Sequence, residues 1–148
     1  MPKMYEMFST DGSLEQNGIY LEYPELGFRI KVARAGGANK KFQRVLETRS
    51  KPYKRAISMG LFTNDQATDL LLEAYLDAVI LGWEVAGTSE DEWTPGIENP
   101  EDGPPLEPTR ANIRAALKAL PELFNDVQDQ AAQAAMFRTS IREANAGN

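Results

Sequence analysis

Four carboxylates recur at every fourth position of one short segment: Asp65, Asp69, Glu73 and Asp77. On a helix this spacing lines one face with oxygen ligands, the donor set of a hard divalent cation such as magnesium or calcium. The surroundings argue against a metal. No second acidic helix faces the stripe, no calcium-loop motif is present, and the chain has neither histidine nor cysteine. Each like-charge step costs roughly 0.2–0.5 kcal/mol in an isolated helix, and only the carboxylates nearest the helix start recover this through the dipole. The stripe reads as a solvated or ion-paired face, with no metal and no cofactor.

The same two absences bound the chemistry of the whole chain. Without histidine the commonest general base and zinc ligand are missing, and without cysteine so are thiol catalysis, thiolate metal sites and disulfides. An enzyme would have to rely on carboxylates, lysine, tyrosine and hydroxyls. No catalytic residue is assigned, and the expectation is a non-enzymatic protein. The stretch "AGGANKK" at 35–41 resembles a phosphate-cradling loop only in its glycines. It lacks the Gly-Lys-Ser/Thr ending and any Gly-x-Gly-x-x-Gly spacing, so it reads as a plain strand-to-helix turn.

Charge is segregated. Residues 29–57 hold ten bases and one acid, a net +9, and residues 61–107 hold twelve acids and no base, a net −12. With −4 from 1–28 and +1 from 108–148, they sum to the chain's −6. Opposite blocks this close in sequence point to a meeting between them, within a subunit or between neighbours. Lys40, Lys41, Arg44, Lys51, Lys54 and Arg55 make the candidate basic partner face; Asp65, Asp69, Glu73 and Asp77 make the acidic one. Phe42 and Tyr53, interleaved with the bases, would suit nucleic acid. Yet both fall on an apolar helical stripe, and the chain as a whole is acidic. An acidic protein partner or a sister subunit is preferred over nucleic acid.

Two tryptophans complete the candidate set. Trp83 follows Gly82 among Ile80, Leu81 and Val85, and reads as a core plug closing a helix end, or else as an anchor shared with another copy. Trp93 stands alone among acids and prolines, and either folds back on the body or binds a partner.

Periodicity supplies the elements that must carry these groups. Residues 1–17 show none and read as a flexible arm. A hairpin is expected over 18–34, pairing Tyr23 with Phe28, Glu22 with Arg29, Leu21 with Ile30 and Ile19 with Val32. Helices are expected at about 39–59, kinked near Pro52, then 64–82, 109–120 and 121–145. The last carries Phe124, Val127, Ala131, Ala134 and Ile141 on one stripe. Between them, 86–108 is an acidic loop rich in proline and glycine. The fold class is therefore mainly α with a small N-terminal β-hairpin (α+β), a compact helical single domain over 18–146. No apolar run approaches the about 18 residues a membrane span needs, and "MPKMYEMFSTDG" lacks the apolar centre of a secretion signal.

The succession "FRIKVARAG", "KPYKRAI", "LLLEAYLDAVILGWE" and "LPELFNDVQDQAAQAAMFR" resembles the tail assembly chaperones of long-tailed, non-contractile bacteriophages, over roughly residues 18–138. The "LGWE" and the "LPELF" segment with its later "FR" are its most specific parts. The resemblance implies a small helical protein of the infected host's cytoplasm. Such a protein self-associates, binds the tape-measure protein, brings tail-tube protein to it, and is absent from the finished virion. It implies no active-site residues. The chain departs from the pattern in its long 86–108 loop, where an "EDG" turn falls at Glu101-Asp102-Gly103. Rival readings are a structural virion component of tail or head completion and, less favoured, a nucleic-acid-binding accessory protein.

Overall fold

The computed structural model describes residues 3–89 and 91–138. Its helices are α1 (Met4–Phe8), α2 (Gly12–Asn17), α3 (Lys40–Ser50), α4 (Lys54–Ser58), α5 (Asn64–Ala78), α6 (Arg110–Ala119) and α7 (Pro121–Ala132). Its strands are β1 (Ile19–Tyr23), β2 (Phe28–Val32), β3 (Ile80–Ala86) and β4 (Trp93–Pro95).

β1 and β2 pair in the register that the alternation dictates, with Ile19 opposite Val32, Leu21 opposite Ile30 and Tyr23 opposite Phe28. The sheet continues beyond the hairpin. β3 pairs antiparallel with β2, and β4 with β3, giving four strands in the order β1-β2-β3-β4. This corrects the expected fold class: the protein is α+β with a complete antiparallel sheet, rather than a helical body with a small N-terminal hairpin.

Two misread segments account for the difference. The helix expected to reach Gly82 ends at Ala78, where the spacing Leu70, Leu71, Ala74, Tyr75, Ala78 stops. Val79 and Ile80 are β-branched, and Trp83 and Val85 then fall on one face of a strand, a pattern of period two. The free edge of β2 supplies backbone partners that a helix would leave unmet. Likewise the acidic 86–108 loop holds β4, and Ile97 and Leu106 exchange backbone hydrogen bonds of 2.9 and 2.8 Å. Pro95 is tolerated because β4 lies at the sheet edge.

Helix ends follow local chemistry. Thr63 accepts from Gln66 N, and the Gln66 side chain returns to Thr63 N, a capping box that starts α5. Thr109 caps α6 through Asn112 N. Pro121 occupies the first turn of α7, where its missing N–H costs nothing. The expected 39–59 helix is broken at Pro52 into α3, a 3₁₀ turn over Lys51–Tyr53, and α4. The last helix ends at Ala132 and is followed by a 3₁₀ turn, Ala134–Phe137; Ile141 lies outside the described residues.

One face of the sheet meets the helices. Ile19, Leu21, Ile30, Val32 and Trp83 pack with Leu72, Tyr75 and Ala78 of α5, Leu117 of α6, and Phe124 and Val127 of α7. Tyr23, Phe28 and Trp83 stack in parallel at 4.6 and 5.7 Å. Tyr75 meets both Phe42 and Phe124 edge-on at 5.4 Å.

Within the stretch expected as an arm, residues 10–17 are tied to the body. Asp11 caps α2, its backbone N–H donates to Phe137 O at 2.8 Å, and the buried Glu15 pairs with Arg34 while accepting from Thr10. Gly37 makes room for this pair. Its φ is +53°, and a Cβ there would lie 2.0 Å from Glu15 Oε2.

Candidate partner-binding surface

α5 carries the acidic stripe, and α6 packs beside it with Arg110, Arg114 and Lys118 at the same four-residue spacing. The two rows meet. Arg110 binds both Glu73 and Asp77, the latter at 2.5 Å, and Arg114 Nε donates to Glu73 Oε1 at 2.6 Å. Lys118 lies 3.6 Å from Asp69. From the other side, Arg49 of α3 donates to Asp77 Oδ2 at 2.5 Å. Partial burial opposes ionisation of Glu73, but hydrogen bonds from Arg114 and Arg110 outweigh it and hold the carboxyl below its ordinary range. The same balance, struck with Arg49 and Arg110, lowers Asp77.

Glu73, Asp77 and Asp69 are therefore engaged within the chain, and the stripe binds α3, α5 and α6 together. Asp65, exposed in the first turn of α5, has no ion pair among the described residues. No group of three potential ligands that could hold a metal forms among the described residues. The bases that answer the stripe, Arg49, Arg110, Arg114 and Lys118, were missed from sequence. The matching spacing of 110, 114 and 118 was the signal that could have found three of them.

The basic candidates have the opposite fate. Lys40, Lys41, Arg44, Lys51, Lys54 and Arg55 are all exposed, and no carboxylate among the described residues lies within ion-pair reach of them. Phe42 turns inward to Tyr75, and Tyr53 packs on Phe62 at 5.2 Å, so the aromatics between these bases serve the core and the turn. Two open depressions border Lys41 and Arg44. One, of about 440 Å³, is lined by Val45, Thr48, Arg49 and Asp77 as well. The other, of about 500 Å³, runs along Gln16, Asn17, Ala38 and Asn39 to Lys40.

Trp83 is 4 % exposed at the centre of β3, opposite Ile30, so it plugs the core as a sheet residue and closes no helix. Trp93 folds back onto the sheet. On the face away from the helices, the Arg29 guanidinium lies 4.6 Å from the Trp93 ring and 3.9 Å from the Tyr20 ring, and Nε donates to Glu84 at 2.8 Å. Trp93 thus fastens β4 down.

Among the described residues, the six candidate bases of α3, the 3₁₀ turn and α4 are exposed and without an ion pair. No helix among the described residues is long and apolar enough to cross a membrane. Neither a curated protein nor a solved structure matches this chain. Residues 37–148 do match a family described as YdaY prophage protein, a stretch that runs from the turn before α3 through the basic face and the ion-paired helices. The chain belongs to the YdaY prophage protein family.

Proposed function

We propose that this prophage protein is a tail assembly chaperone: it binds the tape-measure protein, promotes assembly of tail-tube protein around it, and is not retained in the virion. It acts in the host cytoplasm, self-associates, and performs no bond-making chemistry. The observation that carries the reading is the uncompensated basic face. Six cations on α3, the 3₁₀ turn and α4 stand exposed, while Asp69, Glu73 and Asp77 of α5 are engaged by α6 and Arg49. A surface of unpaired charge attracts an acidic polypeptide quickly and releases it readily, as an assembly factor must. Prophage membership and the residue resemblance over 18–138 support the same role.

Co-expression with the tape-measure protein of the same prophage tests it. The wild-type chain should keep that protein soluble and co-purify with it, and Arg44→Glu with Lys51→Glu should lose at least tenfold in affinity. Mass spectrometry of purified particles should find no copy of the chain. Stoichiometric incorporation would favour the virion-component reading instead.

A further inference from the structure

α4 ends in a tightly formed turn. Leu61 N donates to Ala56 O at 2.8 Å, Gly60 N donates to Ile57 O at 3.1 Å, and Gly60 takes a φ of +71°. This is the paired-bond C-terminal motif that a glycine permits, and it fixes the backbone. Ser58 Oγ adds a bond to Arg55 O at 2.9 Å, and the Tyr53–Phe62 contact closes the base of the turn. On this fixed backbone Ile57 is 48 % exposed, Met59 58 % and Leu61 65 %.

A single exposed aliphatic residue is ordinary; three within five positions, on an ordered turn, mark an interaction site. Its near neighbours in sequence are basic, and the first acid beyond it is Asp65. Residues 51–62 contain Lys51, Lys54 and Arg55, all exposed, and no acid. We propose that the α4 tip is a docking site for an acidic amphipathic helix of a partner protein, whose aliphatic stripe covers Ile57, Met59 and Leu61 while its flanking carboxylates meet Lys51, Lys54 and Arg55. The aliphatic centre separates this occupant from nucleic acid, which would use exposed aromatic rings for stacking. The charge of the neighbouring bases separates it from a basic or neutral helix, and methionine at the centre suits a surface that adapts to its ligand. The proposal deepens the chaperone reading, since it names the chemistry of the bound segment.

The probe is a synthetic helical peptide with leucine at positions i, i+3, i+4 and i+7 and glutamate elsewhere, titrated into the full chain by fluorescence anisotropy. It should bind, weaken at least tenfold between 0.05 and 0.5 M salt (roughly 14 to 4 Å of screening length), and weaken at least tenfold with Met59→Asp. Leu61→Ser, a milder change at an exposed site, should weaken it at least threefold with unchanged circular dichroism and melting temperature. The lysine-for-glutamate peptide and a random oligonucleotide should not bind. Equal affinity for either control peptide charge, preferential binding of the oligonucleotide, or no effect of either variant overturns the proposal. So does a shift from oligomer to monomer in Met59→Asp without loss of peptide binding, which would assign the tip to a second copy. If the glutamate peptide is ignored while tape-measure protein still co-purifies with wild type and Met59→Asp alike, the docking site is wrong and the chaperone reading stands.

Discussion

Arg110 of α6 lies 2.5 Å from the Asp77 carboxylate of α5, whose other oxygen is held by Arg49 of α3 at the same distance. One acid therefore ties three helices. Neutralising it in Asp77→Asn should destabilise the chain by about 1 kcal/mol, because Arg49 loses its partner and Arg110 keeps only Glu73, both guanidinium groups remaining in reach of water. Urea unfolding measures this, and a double-mutant cycle with Arg110→Ala should give a coupling energy of about 0.5–1 kcal/mol. Strict additivity would remove Arg110 from the network.

Acid should loosen this network. Folding lowers the pKa of Glu73 and Asp77 below their ordinary 4.5 and 3.8, so their contribution is complete above those values and is lost as pH falls through the lower folded ones. Alkali acts through the phenols. Burial, with Asp129 nearby, pushes Tyr75 up to about 12, so stability held below pH 10 declines as pH rises towards that value. A thermal-melt profile should be flat between about pH 5 and 10 and fall on both sides. Glu73→Gln with Asp77→Asn should shallow the acid limb alone.

The tryptophans should separate cleanly in stability. Trp83→Ala empties the sheet side of the core beside Phe28 and Ile30, and should cost about 3–5 kcal/mol. Trp93→Ala removes an edge-strand ring and a cation–π contact, and should cost about 1 kcal/mol. Equal costs in urea would contradict the assignment of Trp83 to the core.

Two glycines give a steric contrast. Gly37→Ala must place a Cβ against Glu15 Oε2 at a positive φ, and should destabilise by about 1–3 kcal/mol. Gly82→Ala meets nothing nearer than Lys31 Cβ at 3.8 Å, so its melting temperature should stay within about 2 °C of wild type.

Local pattern carried much of the architecture. Alternation placed the β1–β2 register, and the expected helix starts at about 64, 109 and 121 agree with those at Asn64, Arg110 and Pro121, because caps and cross-strand pairs depend on residues a few positions apart. The end of α5 was hidden because "AVIL" continues the apolar residues of the helix without a break, and the alternation of Trp83, Glu84 and Val85 that marks a strand is only three residues long. β4 was hidden because Trp93-Thr94-Pro95 becomes a strand only when the β3 edge offers it partners.

By itself the sequence determined the hairpin, the helical segments and the sorting of charge, all of which follow from local chemistry or simple counting. Tertiary structure alone decided which charges cancel. Asp77 is neutralised within the chain because Arg49 and Arg110, 28 and 33 residues away, converge on it. Lys41 and Arg44 keep their charge uncompensated because no carboxylate among the described residues does the same for them. Coulombic pairing depends on separation in space, and only the packed fold sets that distance.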